Sequence, residues 1–294
     1  MLILLHWLSR RPLRFLHALG ALLGWLAYAF SGSYRRRLDA NAALAGLSAA
    51  QRRAAVAEAG RMVAELPRLW LRPRGQAIED PVRWEGEALL DEWIGLGRGL
   101  VLLTPHMGSF EIAAQAYAEK FGPRQPMTVL YRPARQAWLR ELEETARLRP
   151  GLATAPATLA GVRQMLRALR RGETVGLLPD QVPPEGLGVW APFFGQPAYT
   201  MTLAARLVQQ TGAAIGVAWC ERLSQGRGYV VRVLPLPLPL SQAAPQPGAD
   251  DAARQLAEAA AINRSMETLI RACPGQYLWG YHRYKAPAQR ALPA

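Results

Sequence analysis

The sequence predicts an α/β fold, a layered mixed sheet with helices on both faces, preceded by an N-terminal membrane-anchoring helix. Three observations carry that expectation. Residues 99–104 (GLVLLT) form a continuous apolar run, the mark of a strand covered on both sides. From there to residue 234, strand-like and helix-like segments alternate. Ahead of them, residues 13–30 (LRFLHALGALLGWLAYAF) are apolar and helix-forming, bracketed by Arg10, Arg11 and Arg14 on one side and Arg35, Arg36 and Arg37 on the other.

Taken in order, the 18 residues from Leu13 rise about 27 Å as a helix, close to the hydrocarbon thickness of a bilayer, although Arg14 and His17 shorten the apolar part. Basic flanks and the aromatic residues Trp7, Trp25, Tyr28 and Tyr34 favour a shallow or tilted anchor against anionic headgroups. Two other readings stand beside it, an export signal suggested by SRRPLRFL and a buried core helix. Residues 38–72 read as two short helices, with Pro67 and Pro73 punctuating the second. After the strand at 99–104 come a helix over SFEIAAQAYAEK, a strand at Met127–Tyr131, helices at 136–149 and 160–171, and a strand at 174–178. A helix at 201–210 then leads to paired strands at 213–220 and 228–234. Residues 235–249 form a Pro-rich connector, and an amphipathic helix over 250–272 precedes the aromatic tail QYLWGYHRYK. The expected division is an anchor over residues 1–37 and one catalytic domain over 38–294.

Thirty-five Lys and Arg against 22 Asp and Glu leave a net charge of +13, nearly all of it from arginine, since Lys occurs only at 120 and 285. That balance favours polyanionic partners. Nucleic acid is not among those expected, because no zinc-finger, helix-turn-helix or RNA-recognition signature occurs. Cys220 and Cys273 provide neither a disulfide framework nor metal-ligand spacing, and the four histidines (6, 17, 106, 282) are scattered, so no metal or cofactor is expected.

The informative segment is TPHMGSFE, residues 104–111, between a buried strand and a helix start. With Ser109 as N-cap, His106 falls in the loop and Glu111 in the first helical turn, within reach of each other in a compact turn. An acid beside a histidine fixes its tautomer, as a base that activates a hydroxyl requires. A serine-hydrolase reading fails for want of a G-x-S-x-G elbow, and a phosphate loop for want of its glycine pattern. Acyl transfer with a substrate hydroxyl as nucleophile remains.

The HMGSFE box, YRP at 131–133, ARLR at 146–149, GETVGLLPDQ at 172–181, GVWAPFFGQPAYTMTLAARL at 188–207 and the tail at 276–285 together resemble the bacterial lipid A biosynthesis acyltransferase family over nearly the whole chain. The resemblance implies a glycerolipid-acyltransferase-like form of the layered sheet. It also implies an acyl-carrier-protein thioester as donor, a phosphorylated glucosamine lipid as acceptor and a place on the cytoplasmic face of the bacterial inner membrane. On this resemblance His106 and Glu111 are the catalytic pair, and Arg132, Arg147 and Asp180 position substrate or organise the site. Each has a plainer reading: a solvated basic face for the arginines, with Arg149 among them, and a turn acid for Asp180. Trp190, Phe193 and Phe194 suit an acyl chain or the membrane interface, or pack beneath their loop. The alternatives in function are a lysophospholipid or glycolipid O-acyltransferase with the same chemistry, and a nonenzymatic basic membrane-binding protein.

Overall fold

The computed structural model describes residues 2–134, 136–240 and 250–289. Helices α1 (Leu2–Ser9), α2 (Leu13–Phe30), α3 (Gly32–Leu44) and α4 (Ala49–Trp70) come first. Then follow β1 (Val82–Glu85), α5 (Glu87–Gly95), β2 (Leu100–Leu103), α6 (Phe110–Lys120), β3 (Met127–Tyr131), α7 (Ala137–Arg147), β4 (Leu152–Pro156), α8 (Leu159–Arg170) and β5 (Thr174–Leu177). A hairpin of β6 (Gly188–Phe193) and β7 (Gln196–Met201) precedes α9 (Leu203–Thr211), β8 (Ala214–Arg222), β9 (Tyr229–Pro235) and α10 (Asp251–Ala272). Seven strands form one sheet in the order β1-β9-β8-β2-β5-β3-β4, and only the β8–β9 pairing is antiparallel.

The run at 99–104 is apolar throughout because β2 is central and both its faces are covered. Leu100 and Leu102 pack with Leu90, Trp93, Ile112 and Phe121 of α5, α6 and the turn after it, whereas Val101 and Leu103 pack with Met165, Leu169, Ala205 and Leu207 of α8 and α9. The mixed sheet flanked by helices agrees with the expectation from sequence. Several elements differ from it. α4 is one helix of 22 residues, started by a capping box between Ser48 and Gln51; Pro67 sits inside it rather than ending it. β1 and β4, at the two edges of the sheet, and the β6–β7 hairpin were not expected. Of the three loop aromatics, Trp190 is exposed, while Phe193 and Phe194 are buried against the C-terminal tail. Most of the Pro-rich connector, residues 241–249, lies outside the described residues.

α2 has the expected limits and a mean hydropathy of 1.4, the one described helix long and apolar enough to cross a membrane. One of its faces is already occupied. Leu13, Leu16, His17, Gly20 and Gly24 are buried. A Cβ at Gly60 of α4 would lie 1.9 Å from the Gly20 carbonyl oxygen, so the two backbones approach as only glycine allows. The opposite face, with Leu22, Leu23, Trp25, Leu26 and Phe30, is exposed.

Candidate active site

His106 and Asp180 meet because β2 and β5 are adjacent parallel strands. Leu103 is in register with Leu177, so the third residue beyond each strand arrives at the same place. Asp180, 1% exposed, accepts hydrogen bonds from the His106 backbone N–H at 2.9 Å and from its ring Nδ1 at 2.7 Å. Burial pushes the Asp180 carboxyl up, but the imidazole, those two hydrogen bonds and nearby Arg283 outweigh it and hold the group below the usual carboxylate range. The Tyr277 hydroxyl is buried, and burial, then the charge of Asp180, push its pKa well up. With Nδ1–H donated to Asp180, Nε2 is left as acceptor and takes a hydrogen bond from the Gln181 amide at 2.9 Å. The edge of the Phe110 ring packs on the imidazole at 5.2 Å between centroids.

The loop under His106 is fixed from several sides. Gly108 has φ +61° and lies so close to β8 that a Cβ there would come within 1.9 Å of the Cys220 carbonyl oxygen. The Gly108 and Ser109 N–H groups donate to the carbonyls of Gln276 and Cys220, and the Leu278 N–H donates to that of His106. The fully buried Arg222 donates to the Gly108 carbonyl, to both oxygens of Glu65 and to Glu58. Glu65 also accepts from Tyr229 and is 3.1 Å from Nε2 of His17, so the loop is tied through α4 to α2. Burial raises the Glu65 carboxyl, but Arg222, His17 and Ser109 together bring it down to about 2.

Glu111 occupies the first turn of α6, as expected, but its carboxylate does not reach the imidazole. It pairs with Arg147 at the end of α7, whose guanidinium stands 5.8 Å from the Tyr131 ring centroid and 3.9 Å from Glu143. The hydrogen bond expected between His106 and Glu111 is thus replaced by two others, His106 to Asp180 and Glu111 to Arg147. The reason is geometric: Nδ1 is claimed by a carboxylate that the sheet register delivers. His106, Glu111, Arg132 and Arg147 still line one cavity of about 430 Å³, walled largely by apolar residues such as Leu66, Phe110, Val129 and Met201. Arg149 does not join them; it is buried, donating to the carbonyls of Leu69, Arg72, Pro73 and Ala146. Sequence reasoning overlooked Gln181, Tyr277, Glu65 and Arg222. A signal for Gln181 lay in plain view, because it follows Asp180 on a loop that parallel pairing brings to the site.

An imidazole oriented by a buried carboxylate, with its second nitrogen an acceptor beside an apolar-walled cavity, is an arrangement that can take up a proton there. The chain belongs to the bacterial lipid A biosynthesis acyltransferase family, whose profile matches residues 1–286. It is similar to the lipid A biosynthesis lauroyltransferase of Escherichia coli K12, 29% identical over 189 residues, or 64% of this chain and 56% of that protein. It is also 26% identical, over 193 residues, to the lipid A biosynthesis palmitoleoyltransferase of E. coli K12 and to a lipid A biosynthesis acyltransferase of Shigella flexneri, covering 64% of this chain and 56% of each. The matched region spans little more than half the length of these relatives. Among the described residues, no group of three or more His, Cys, Asp or Glu could hold a metal ion.

Proposed function

We propose that this protein transfers a fatty acyl group from an acyl-carrier-protein thioester to a hydroxyl of a phosphorylated glucosamine lipid, a lipid A precursor, in lipopolysaccharide biosynthesis. The observation that carries the reading is the His106–Asp180 pair, which leaves Nε2 as an acceptor at the cavity, where the Gln181 amide donates to it. A substrate hydroxyl displaces the Gln181 amide from Nε2. As its oxygen attacks the thioester carbonyl, its proton passes to Nε2. Collapse of the tetrahedral intermediate breaks the C–S bond, and the departing thiolate takes the proton back, leaving ester, thiol and neutral imidazole. Asp180 stabilises the imidazolium formed between these steps and holds its tautomer.

In this reading Glu111 acts through Arg147. The part-buried pair keeps the guanidinium at the cavity wall with its plane set, where it and the exposed Arg132 offer donors to the acceptor's phosphate or to the developing oxyanion. Apolar wall residues, continuing past Phe110 and Val129 into the narrow space between α6 and the sheet, suit the acyl chain. The exposed face of α2, flanked by arginines, rests on an anionic membrane surface, which we place at the cytoplasmic face of the inner membrane. The full chain, in detergent with an acyl-carrier-protein thioester and the phosphorylated lipid, should yield a lipid heavier by one acyl group. A lysophospholipid acylated in place of the glucosamine lipid would move the reading to another acceptor; no acylated lipid from any acceptor would remove it.

A further inference from the structure

A second cleft, of about 340 Å³, opens between the turn after α4, the later part of α6 and the turns at Gly122 and Gly151. Gln115 lines it and is 1% exposed. Its Oε1 accepts from Arg72 Nη2 at 2.9 Å, but its Nε2 has no partner. The Arg72 side chain is only 6% exposed; it forms an ion pair with Glu119 at 2.8 Å, yet its Nε is also without an acceptor. Arg149 stands in the same wall, buried and in no ion pair among the described residues. Burial and the charges of Arg72 and Arg74 push its pKa down. Two guanidinium groups, those of Arg72 and Arg149, therefore line the cleft with a single carboxylate, Glu119, which is shared with the Ile78 backbone N–H. Buried donors without acceptors are rare in folded proteins, and here two of them lie beside uncompensated positive charge.

We propose that this cleft binds a phosphate-type anion, with Gln115 Nε2 and Arg72 Nε donating to its oxygens and Arg149 contributing its charge. A tetrahedral oxyanion supplies several acceptors at once and balances the excess charge, which a neutral ligand does not. The phosphate comes either from the headgroup of a phosphorylated lipid or from free inorganic phosphate. The lipid source rests on the proposed function. Gln115 lies four residues beyond Glu111 on α6, about 6 Å along the helix axis.

The test is thermal unfolding of the full chain in detergent, titrated with sodium phosphate against sodium chloride at matched ionic strength, for wild type and Gln115→Glu. The variant keeps the acceptor for Arg72 and the side-chain shape, and puts a negative charge where the donor was. Wild type should show a saturable rise in Tm with phosphate alone, and Gln115→Glu should weaken phosphate affinity by about tenfold or more. Equal responses to phosphate and chloride, or an unchanged affinity in a folded Gln115→Glu, would overturn the proposal; the wild-type comparison decides alone if the variant does not fold. Repeating the titration in phosphate-free buffer, with micelles of a phosphorylated glucosamine lipid or its dephosphorylated form, separates the sources. A Gln115-dependent rise with the phosphorylated lipid assigns the headgroup, and a rise with inorganic phosphate only assigns the free anion. Acyl transfer by wild type in the same phosphate-free buffer reports separately on the proposed function.

Discussion

Asp180→Asn removes one charge and almost no volume, so it isolates the partner of the imidazole. In wild type the carboxylate takes two hydrogen bonds from His106, one from the backbone N–H and one from Nδ1. An asparagine that keeps its oxygen on the backbone N–H presents its NH2 group to Nδ1, which must then act as acceptor. The ring proton moves to Nε2, and the nitrogen facing the cavity can no longer take a proton from a hydroxyl. Loss of a positioned base costs on the order of 10²–10⁴-fold in rate, equivalent to about 3–5 kcal/mol of barrier. The expected result is a fall in kcat of that size with KM for both substrates little changed, in a protein whose circular dichroism and melting remain cooperative. Glu111→Gln serves as comparison, because it loosens Arg147 without altering the tautomer of His106. A folded Asp180→Asn protein with wild-type kcat would refute the reasoning, most sharply if Glu111→Gln were inactive.

Arg147→Lys keeps the charge but not the planar fork that meets Glu111; kcat/KM should fall by about tenfold or more across a salt series, and a small loss that tracks salt would make Arg147 part of a solvated basic surface. Glu65 is held down to about 2 from 4.5, so its stabilisation is full above pH 4.5 and disappears as pH falls toward 2, an effect on the order of 3 kcal/mol. Urea unfolding across that window should show a steeper loss for wild type than for Glu65→Leu/Arg222→Met, which removes both buried charges together; parallel profiles would contradict the pairing. A chain beginning at Leu38 should lose cooperative unfolding as well as membrane binding. It would lack the buried Leu13, Leu16 and His17 of α2, the last of which meets Glu65 of α4, and large buried aliphatic side chains are worth about 2–5 kcal/mol each when truncated. A cooperative melt near that of the full chain would show that residues 1–37 only anchor.

Elements whose burial forces an unbroken apolar run were legible in the sequence. β2, β3, β5 and the β8–β9 pair fall within one or two residues of where the pattern puts them. The strands that escaped notice lie where that pressure is weak. β4 (LATAP) is an edge strand of mostly small residues ending in proline, and β6 and β7 carry two prolines, Pro192 and Pro197, in a hairpin apart from the main sheet. α2 showed its apolar character but not its second role, because Gly20 and Gly24 read as gaps in hydrophobicity until Gly60 is seen packed against them.

At the site, local spacing pointed to His106 and misjudged its neighbour. The sequence places Glu111 five residues away, whereas the carboxylate on the imidazole lies 74 residues on. Only the pairing of β2 with β5 reveals that the two short loops end together. Arg222 and Glu65 were hidden for the same reason, since 157 residues separate them and neither belongs to a motif.

The most direct test of acyl transfer is the mass of the lipid product. The purified full chain is incubated with an acyl-carrier-protein thioester of defined chain length and a phosphorylated glucosamine lipid, beside His106→Ala shown to be folded, and the lipids are resolved by mass spectrometry. We expect a time-dependent product heavier by that one acyl chain, with the rate in His106→Ala lower by about 10²–10⁴-fold. Equal product from wild type and folded His106→Ala, or none from wild type with any lipid hydroxyl offered, would contradict the account.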